Sequence, residues 1–312
     1  MISDMDQLYE RQTQRMQADR EELAERIAQA LPKNGRIEIQ PGLFLGRSSH
    51  TTPLTHSFHL PLFCVIAQGA KALTLGQDTF RYDPAHYMIS TVGVPMSSQV
   101  IEASPEEPFL NIMVAFDPAL VSSVLVESGL APSRLDTRAR AVDVSPLDPE
   151  LLNAVLRLLR LLERPTDYPV LAPLILREII YRLLIGTQGG RMLHLAALGG
   201  QAQRMVQAVG YLRANFREVL SVEHLAKHLG MSLSGFHAHF KAVTAMSPLP
   251  FQKHLRLQEA QRLLLSQDLD AAEAGYRVGY EDASHFNRDY KRHFGEPPMR
   301  DVERRRSLLS GA

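Results

Sequence analysis

The sequence holds a single cysteine, Cys64, in 312 residues. That excludes an internal disulfide framework and a cysteine-based zinc finger. It has no run of about 18 apolar residues, so no membrane span is expected. The opening Met1-Ile2-Ser3-Asp4 passes straight into charged sequence, without the apolar stretch of a signal peptide, and a cytoplasmic location is expected. Net charge is absent too, with 34 Lys+Arg against 34 Asp+Glu. No catalytic triad, phosphate loop or dinucleotide motif appears, so neither enzymatic activity nor a cofactor is expected. Solenoid repeats and low-complexity segments are also missing.

What remains is the composition of a globular chain, 45% hydrophobic and 22% charged, long enough for two domains that each bury a core. The charge is unevenly spread. From Gln203 onward there are 16 Lys+Arg against 12 Asp+Glu, and seven of the twelve histidines. This mild asymmetry permits a DNA-binding C-terminal part.

Patterning divides the chain. Residues 1–34 read as a charged helix, from about Asp4 to Leu31, stopped by Pro32 and Gly35. Short apolar or alternating runs follow at Arg36–Ile39, Leu43–Arg47, Leu62–Ala67, Ala72–Leu75, Tyr87–Thr91, Ser98–Ile101 and Leu110–Ala115. Turn residues such as Pro41-Gly42, Gly76 and Asp83-Pro84 separate them, as in a small β-sandwich or barrel. Helical spacing returns at Leu147–Leu162 and Leu171–Ile185. Residues 35–188 are thus expected to form one β-rich domain with C-terminal helices. Gly186-Thr187-Gln188-Gly189-Gly190 and Gly199-Gly200 mark a joint, with a linker over 189–202. Residues 203–306 are helical in pattern, which makes the chain α+β overall.

Two segments of the helical part follow the helix-turn-helix recipe. In the first, over about 221–244, Val222, Leu225, Ala226 and Leu229 line a short helix. Gly230 turns the chain, Ser232 caps the next helix, and Phe236, Phe240 and Val243 form its buried stripe. The opposite face presents Ser234, Ala238 and Lys241, with His237 beside them, a set able to approach base edges in a major groove. Ser247-Pro248 then starts a helix over 248–265, roughly 27 Å long at 1.5 Å per residue. It reads as a rigid spacer with Lys253, Arg256 and Arg262 outside. In the second unit, over about 270–294, Asp270-Ala-Ala-Glu273 resembles a capping box and Gly279 makes the turn. Ala283, Phe286, Tyr290 and Phe294 face inward. Ser284, Arg288, Lys291 and Arg292 face outward, flanked by His285 and Asn287. Arg288 suits guanine O6 and N7, and Lys291 and Arg292 suit phosphates.

The run Pro248…Arg256-Leu257…Ala260…Leu263-Leu264, with Val278-Gly279-Tyr280 through Ser284-His285-Phe286-Asn287-Arg288…Tyr290-Lys291…Phe294-Gly295…Pro297, resembles the signature of the AraC/XylS family of transcriptional regulators. The resemblance covers about a third of the chain, from Gln203 to near Val302. It implies two recognition helices entering successive major-groove segments on one face of promoter DNA, about one turn apart. It also implies transcriptional activation with RNA polymerase as a partner. The sequence departs from the family at Ala271, Ala274 and Gly275, where Ile, Ile and Ala are commoner. A mid-helix glycine is expected to loosen that helix by up to about 1 kcal/mol.

Residues Gly35–Gly129 resemble the N-terminal domain of one AraC subgroup, through Pro41-Gly42-Leu43, Pro61-Leu62-Phe63-Cys64-Val65, Gln68-Gly69-Ala70-Lys71, Leu75-Gly76, Tyr82-Asp83-Pro84 and Ala103-Ser104-Pro105. That resemblance implies a cupin-like β-barrel ending in helices, a small-molecule effector in the barrel mouth and a homodimer. Cys64, Lys71 and His59 are the effector-site candidates. Cys64 lies in an apolar run that argues for a buried, inert thiol, and Lys71 reads more readily as a solvated strand-end charge than as a contact to an anionic effector. His50, His56, His59 and His86 lack the paired His-x-His of a cupin metal centre, so no metal is expected there. Leu151-Leu152, Leu156, Leu158-Leu159, Leu161-Leu162, Leu174 and Leu183-Leu184 exceed one helical stripe, and a second apolar face suits a subunit interface. Two rival readings remain: a cupin-type metalloenzyme with a helical accessory domain, and a module whose helix pairs bind protein.

Overall fold

The computed structural model describes residues 2–59, 61–130, 140–193, 195–196, 201–267 and 269–310. The Gly199-Gly200 joint expected from the sequence lies outside them, as does the side chain of His59. The chain starts with α1 (Ile2–Ala30), followed by β1 (Gly35–Gln40), β2 (Leu43–Ser48), β3 (Thr55–His59), β4 (Leu62–Gln68), β5 (Ala70–Leu75), β6 (Asp78–Tyr82), β7 (His86–Ser90), β8 (Val94–Glu102) and β9 (Phe109–Ala115). Then come α2 (Pro118–Glu127), β10 (Val142–Pro146), α3 (Pro149–Arg160), α4 (Tyr168–Ile185) and the short α5 (Gly189–Met192).

The strands form an antiparallel six-stranded sheet, β1-β2-β9-β4-β7-β10, and an antiparallel four-stranded sheet, β3-β8-β5-β6. β4 explains the architecture. Its Phe63 and Val65 join a core with α1, α2, α3 and α4, whereas Leu62, Cys64 and Ile66 join a core with Leu73, Tyr82, Met96 and Val100 of the smaller sheet. A strand buried on both faces must be apolar at every position, which is why this segment reads as an unbroken hydrophobic run. β3, β6 and β10 carry little such signal. β3 is Thr-His-Ser-Phe-His and β6 is Asp-Thr-Phe-Arg-Tyr, and cross-strand pairing holds them in place of apolar alternation.

α1 is less solvent-facing than its charge suggests. Leu23, Ala24, Ile27 and Leu31 are buried in the core between the larger sheet and the helices. Glu22 accepts from Arg160 of α3 and from Arg26 at 2.7 Å. The Arg160 hydrogen bond, with help from Arg26, lowers the Glu22 carboxyl to about 2 against the upward push of burial. Met192, Leu195 and Ala196, read from the sequence as part of a linker, pack into the same core.

The C-terminal part comprises α6 (Gln201–Ala214), α7 (Val222–His228), α8 (Leu233–Thr244), α9 (Pro248–Ser266), α10 (Ala271–Arg277), α11 (Ala283–Phe294) and α12 (Pro298–Ser310). α9 is a shared spine. Phe251 and Leu255 pack with α6, α7 and α8, while Leu257, Ala260, Leu263 and Leu264 pack with α10, α11 and Val302 of α12. The interior between the two sheets is continuous with the core of the first helix-turn-helix unit, so the β-rich part and the helical C-terminal part share apolar contacts.

Candidate nucleic-acid interface

Local chemistry sets the entry of each helix. Ser221 caps α7 by accepting from His224 N at 3.2 Å, and Ser232 caps α8 by accepting from Gly235 N at 3.2 Å. Asp270 caps α10 through Glu273 N at 2.8 Å, and Asp282 caps α11 through His285 N at 2.8 Å. The capping box at Asp270 is half formed, because the Glu273 carboxylate pairs with Arg277 at 2.7 Å. Ser247 stands at the N-cap of α9 without a side-chain cap bond, so Pro248 starts that helix by its fixed φ alone.

Phe236, Phe240 and Val243 of α8, and Phe286, Tyr290 and Phe294 of α11, are buried. Their burial turns the opposite faces out. Ser234, Ala238 and Lys241 are exposed on α8 with His237 half-buried, and Ser284, His285, Asn287, Arg288, Lys291 and Arg292 are all exposed on α11. The two faces therefore carry four cations, Lys241, Arg288, Lys291 and Arg292, on the pattern that phosphate and base contacts require.

Three structural features lay beyond sequence reasoning. The first is Arg256. Lys253 and Arg262 are exposed as expected, whereas the expectation that Arg256 stands outside is corrected, since it is half-buried. Arg256 donates to the carbonyls of Phe216 (2.7 Å), Arg217 (3.0 Å), Glu218 (2.9 Å) and Gly279 (2.8 Å). Lys253 pairs with Asp289 of α11 at 2.9 Å, and Arg262 pairs within its own helix with Glu259 at 2.8 Å. A guanidinium fork can satisfy several orphan carbonyls at once, and an ammonium cannot match that geometry. The second feature is Asp301 on α12, fully buried. It accepts from Gln261 Nε2 at 2.6 Å, Tyr290 OH at 3.0 Å and Arg305 Nε at 2.9 Å. An acid in a terminal helix gives no sequence clue to such a hub. The third is glycine packing. A Cβ on Gly279, whose φ is +91°, would lie 2.2 Å from the Arg217 carbonyl oxygen. On Gly275 it would lie 2.9 Å from the Phe286 ring. Gly275, expected to loosen α10, instead lets the α11 phenylalanine approach.

In the barrel, Cys64 of β4 and Lys71 of β5 come from opposite sheets and act on each other electrostatically. The thiol is buried, accepts from Asn111 Nδ2 at 3.3 Å and lies 3.8 Å from Tyr82 OH. Burial pushes its pKa up, against the pull of Asn111 and Lys71. Burial likewise pushes the Lys71 ammonium down, so Lys71 is not a fully solvated strand-end charge. His86 pairs with Asp83 at 2.8 Å, and His56 meets Ser97 Oγ at 2.7 Å. Among the described residues no group of three His, Cys, Asp or Glu is arranged to hold a metal ion.

This geometry defines a two-part protein, a β-barrel joined to a tandem helix-turn-helix unit of the kind that binds DNA. The sequence pattern of the AraC-type transcriptional regulator N-terminus matches residues 40–191, and that of a helix-turn-helix domain matches residues 225–304. The chain is similar to the virulence regulon transcriptional activator VirF of Yersinia enterocolitica, at 24% identity over 239 residues, 75% of this chain and 86% of VirF. Similarity to the thermoregulatory protein LcrF of Yersinia pestis is 23% over 239 residues, again 75% and 86%. The fold resembles that of unsaturated fatty acid bound ToxT from Vibrio cholerae, with a TM-score of 0.53 at 8% sequence identity, covering 85% of this chain and 96% of ToxT. The chain belongs to the AraC family of transcriptional regulators. It is a DNA-binding regulator and not an enzyme, which sets the metalloenzyme reading aside. No helix among the described residues is long and apolar enough to cross a membrane.

Proposed function

We propose that the protein is a cytoplasmic activator of transcription that reads double-stranded promoter DNA with α8 and α11 and answers to a small molecule held in the barrel. The observation that carries this is the orientation of the two recognition helices: every apolar anchor is buried, and the polar faces of both helices are open to solvent. Ser234, His237, Ala238 and Lys241 would meet one major-groove segment. Ser284, His285, Asn287 and Arg288 would meet the next, with Lys291 and Arg292 on phosphates. The activator sense rests on the likeness to VirF, which is named as an activator, and implies contact with RNA polymerase. In this reading residues 35–188 form the sensor, 189–202 the connection, whose Met192, Leu195 and Ala196 pack into the sensor core, and 203–306 the DNA-binding domain.

The effector would enter beside Cys64 and Lys71, where a thiol bonded by the Asn111 amide feels the charge of a half-buried lysine. His59 lies on β3, in the same small sheet as Lys71. Dimerisation is assigned to α4. Leu183 and Leu184, like the leucines of α3, are consumed by the core, but Val170 (67% exposed), Leu174 (59%), Tyr181 (44%) and Ile185 (54%) leave an apolar stripe along α4 at helical spacing. A second copy presenting the same stripe would cover it.

Selection of bound duplexes from a random library, followed by gel shifts, tests the proposal. Enrichment of a bipartite site with half-sites about one helical turn apart supports it. Recovery of no shared sequence from folded protein refutes it and leaves the protein-binding reading of the helix pairs.

A further inference from the structure

Three histidines from three elements meet where the barrel touches the DNA-binding part. His293, near the end of α11, packs between His56 of β3, at a ring-centroid distance of 4.3 Å, and His254 of α9, at 4.4 Å, with both ring pairs tilted by 42–44°. The His56 ring also meets the edge of Phe294 at 5.1 Å. Beside the cluster lies a cavity of about 180 Å³, whose lining includes Thr74, Ser97, Met246 and Gln258. His293 Nε2 is buried there without a hydrogen-bond partner. Nearby, Ala141 N donates to the carbonyl of Val243 at 2.9 Å, and the Gly76 turn abuts Ala245. The sensor thus grips the C-terminal ends of both recognition helices.

We propose that this histidine cluster is an acid-released latch, holding the sensor barrel against the DNA-binding part while the imidazoles are neutral and letting go when they are protonated. Neutral rings pack at these distances, whereas two or three imidazolium ions confined to the same small space repel one another. The surrounding charges do little to relieve that repulsion. Arg305 and Lys253 add positive charge, facing His56 and His254 respectively, and buried Asp301 is the one anion acting on His56. Asp301 already accepts from Arg305, Tyr290 and Gln261. Burial holds His56 at about 4 and His293 at about 3, and lowers His254 as well.

Linkage gives the direction. A histidine at 6.5 when the parts are separated and about 4 when docked favours docking fully above pH 6.5. That preference is lost as pH falls from 6.5 towards 4. At pH 5.5 each such ring weakens docking about tenfold.

Small-angle scattering of the full chain between pH 7.5 and 5.0, with helix content followed by circular dichroism, tests the latch. Its predicted result is a rise in radius of gyration below pH 6.5 with helix content retained, abolished in His56→Gln/His254→Gln/His293→Gln. The single variant His56→Gln, confined to the sensor side, should shift the transition by about half a pH unit towards acid. No expansion by pH 5.0, the same expansion in the triple variant, or expansion only with loss of helix would each overturn the proposal.

Discussion

Arg256 donates a 2.8 Å hydrogen bond to the carbonyl of Gly279, the turn of the second helix-turn-helix unit, while its other nitrogens hold carbonyls just before α7 of the first. One side chain on the shared helix therefore fixes the backbone of both units. Arg256→Ala is predicted to cost about 2–3 kcal/mol, the range for hydrogen bonds to a charged group. Arg256→Lys should recover less than half, since an ammonium lacks the fork. Denaturant unfolding gives the cost, and a footprint that shortens to one half-site would show that the two units have lost their register. Full stability in Arg256→Ala would contradict this role.

Gly275→Ala is predicted to destabilise by about 1–3 kcal/mol through overpacking against Phe286, although alanine alone would add up to about 1 kcal/mol in an open helix. A raised melting temperature in this variant would show that α10 and α11 are looser than described.

The two basic contacts on α11 should separate by type. Arg288→Ala is predicted to lose about 1–3 kcal/mol of binding to the cognate site and to relax the preference at one base pair. Lys291→Ala should weaken all sequences alike and lower the salt slope by about one. Equal losses on cognate and random DNA for Arg288→Ala would reassign it to a phosphate.

Leu174→Glu and Tyr181→Glu place charges within the apolar stripe of α4. Sedimentation should show wild-type dimers and variant monomers at micromolar concentration, with unchanged helix content. A wild-type monomer at high concentration would remove α4 from the account.

Glu22 joins α1 to Arg160 of α3. Its carboxyl is held at about 2 rather than 4.5, chiefly by Arg160. The stabilisation is therefore complete above pH 4.5 and is lost as pH falls through the interval down to about 2. Allowing for solvent screening of a partly exposed pair, Glu22→Gln should cost about 1 kcal/mol at pH 7, and the difference from wild type should vanish in acid. A constant difference across that interval would point to packing instead.

The helical half was legible because its signals are local. Ser232 and Asp270 cap, the aromatic stripes fall at helical spacing, and Gly230 and Gly279 fall between helices. β4 was legible because both of its faces are buried. What escaped depends on partners distant in sequence. β3 and β10 exist through pairing with β8 and β7. Arg256 looks like any surface arginine until Phe216 and Gly279 converge on it. Asp301 is a hub only because Gln261 and Tyr290 meet there. The spare apolar face of α4 could not be told from core until the packing showed Leu183 buried and Leu174 left out.

The most direct test of the central claim is a footprint of the purified protein on its own upstream DNA across a salt series, beside Arg288→Ala. The account predicts two protected segments on one face of the duplex, about one turn apart, weakening as salt rises and lost at the α11 half-site in the variant. Protection without sequence preference, or a pattern that Arg288→Ala leaves unchanged, would contradict it.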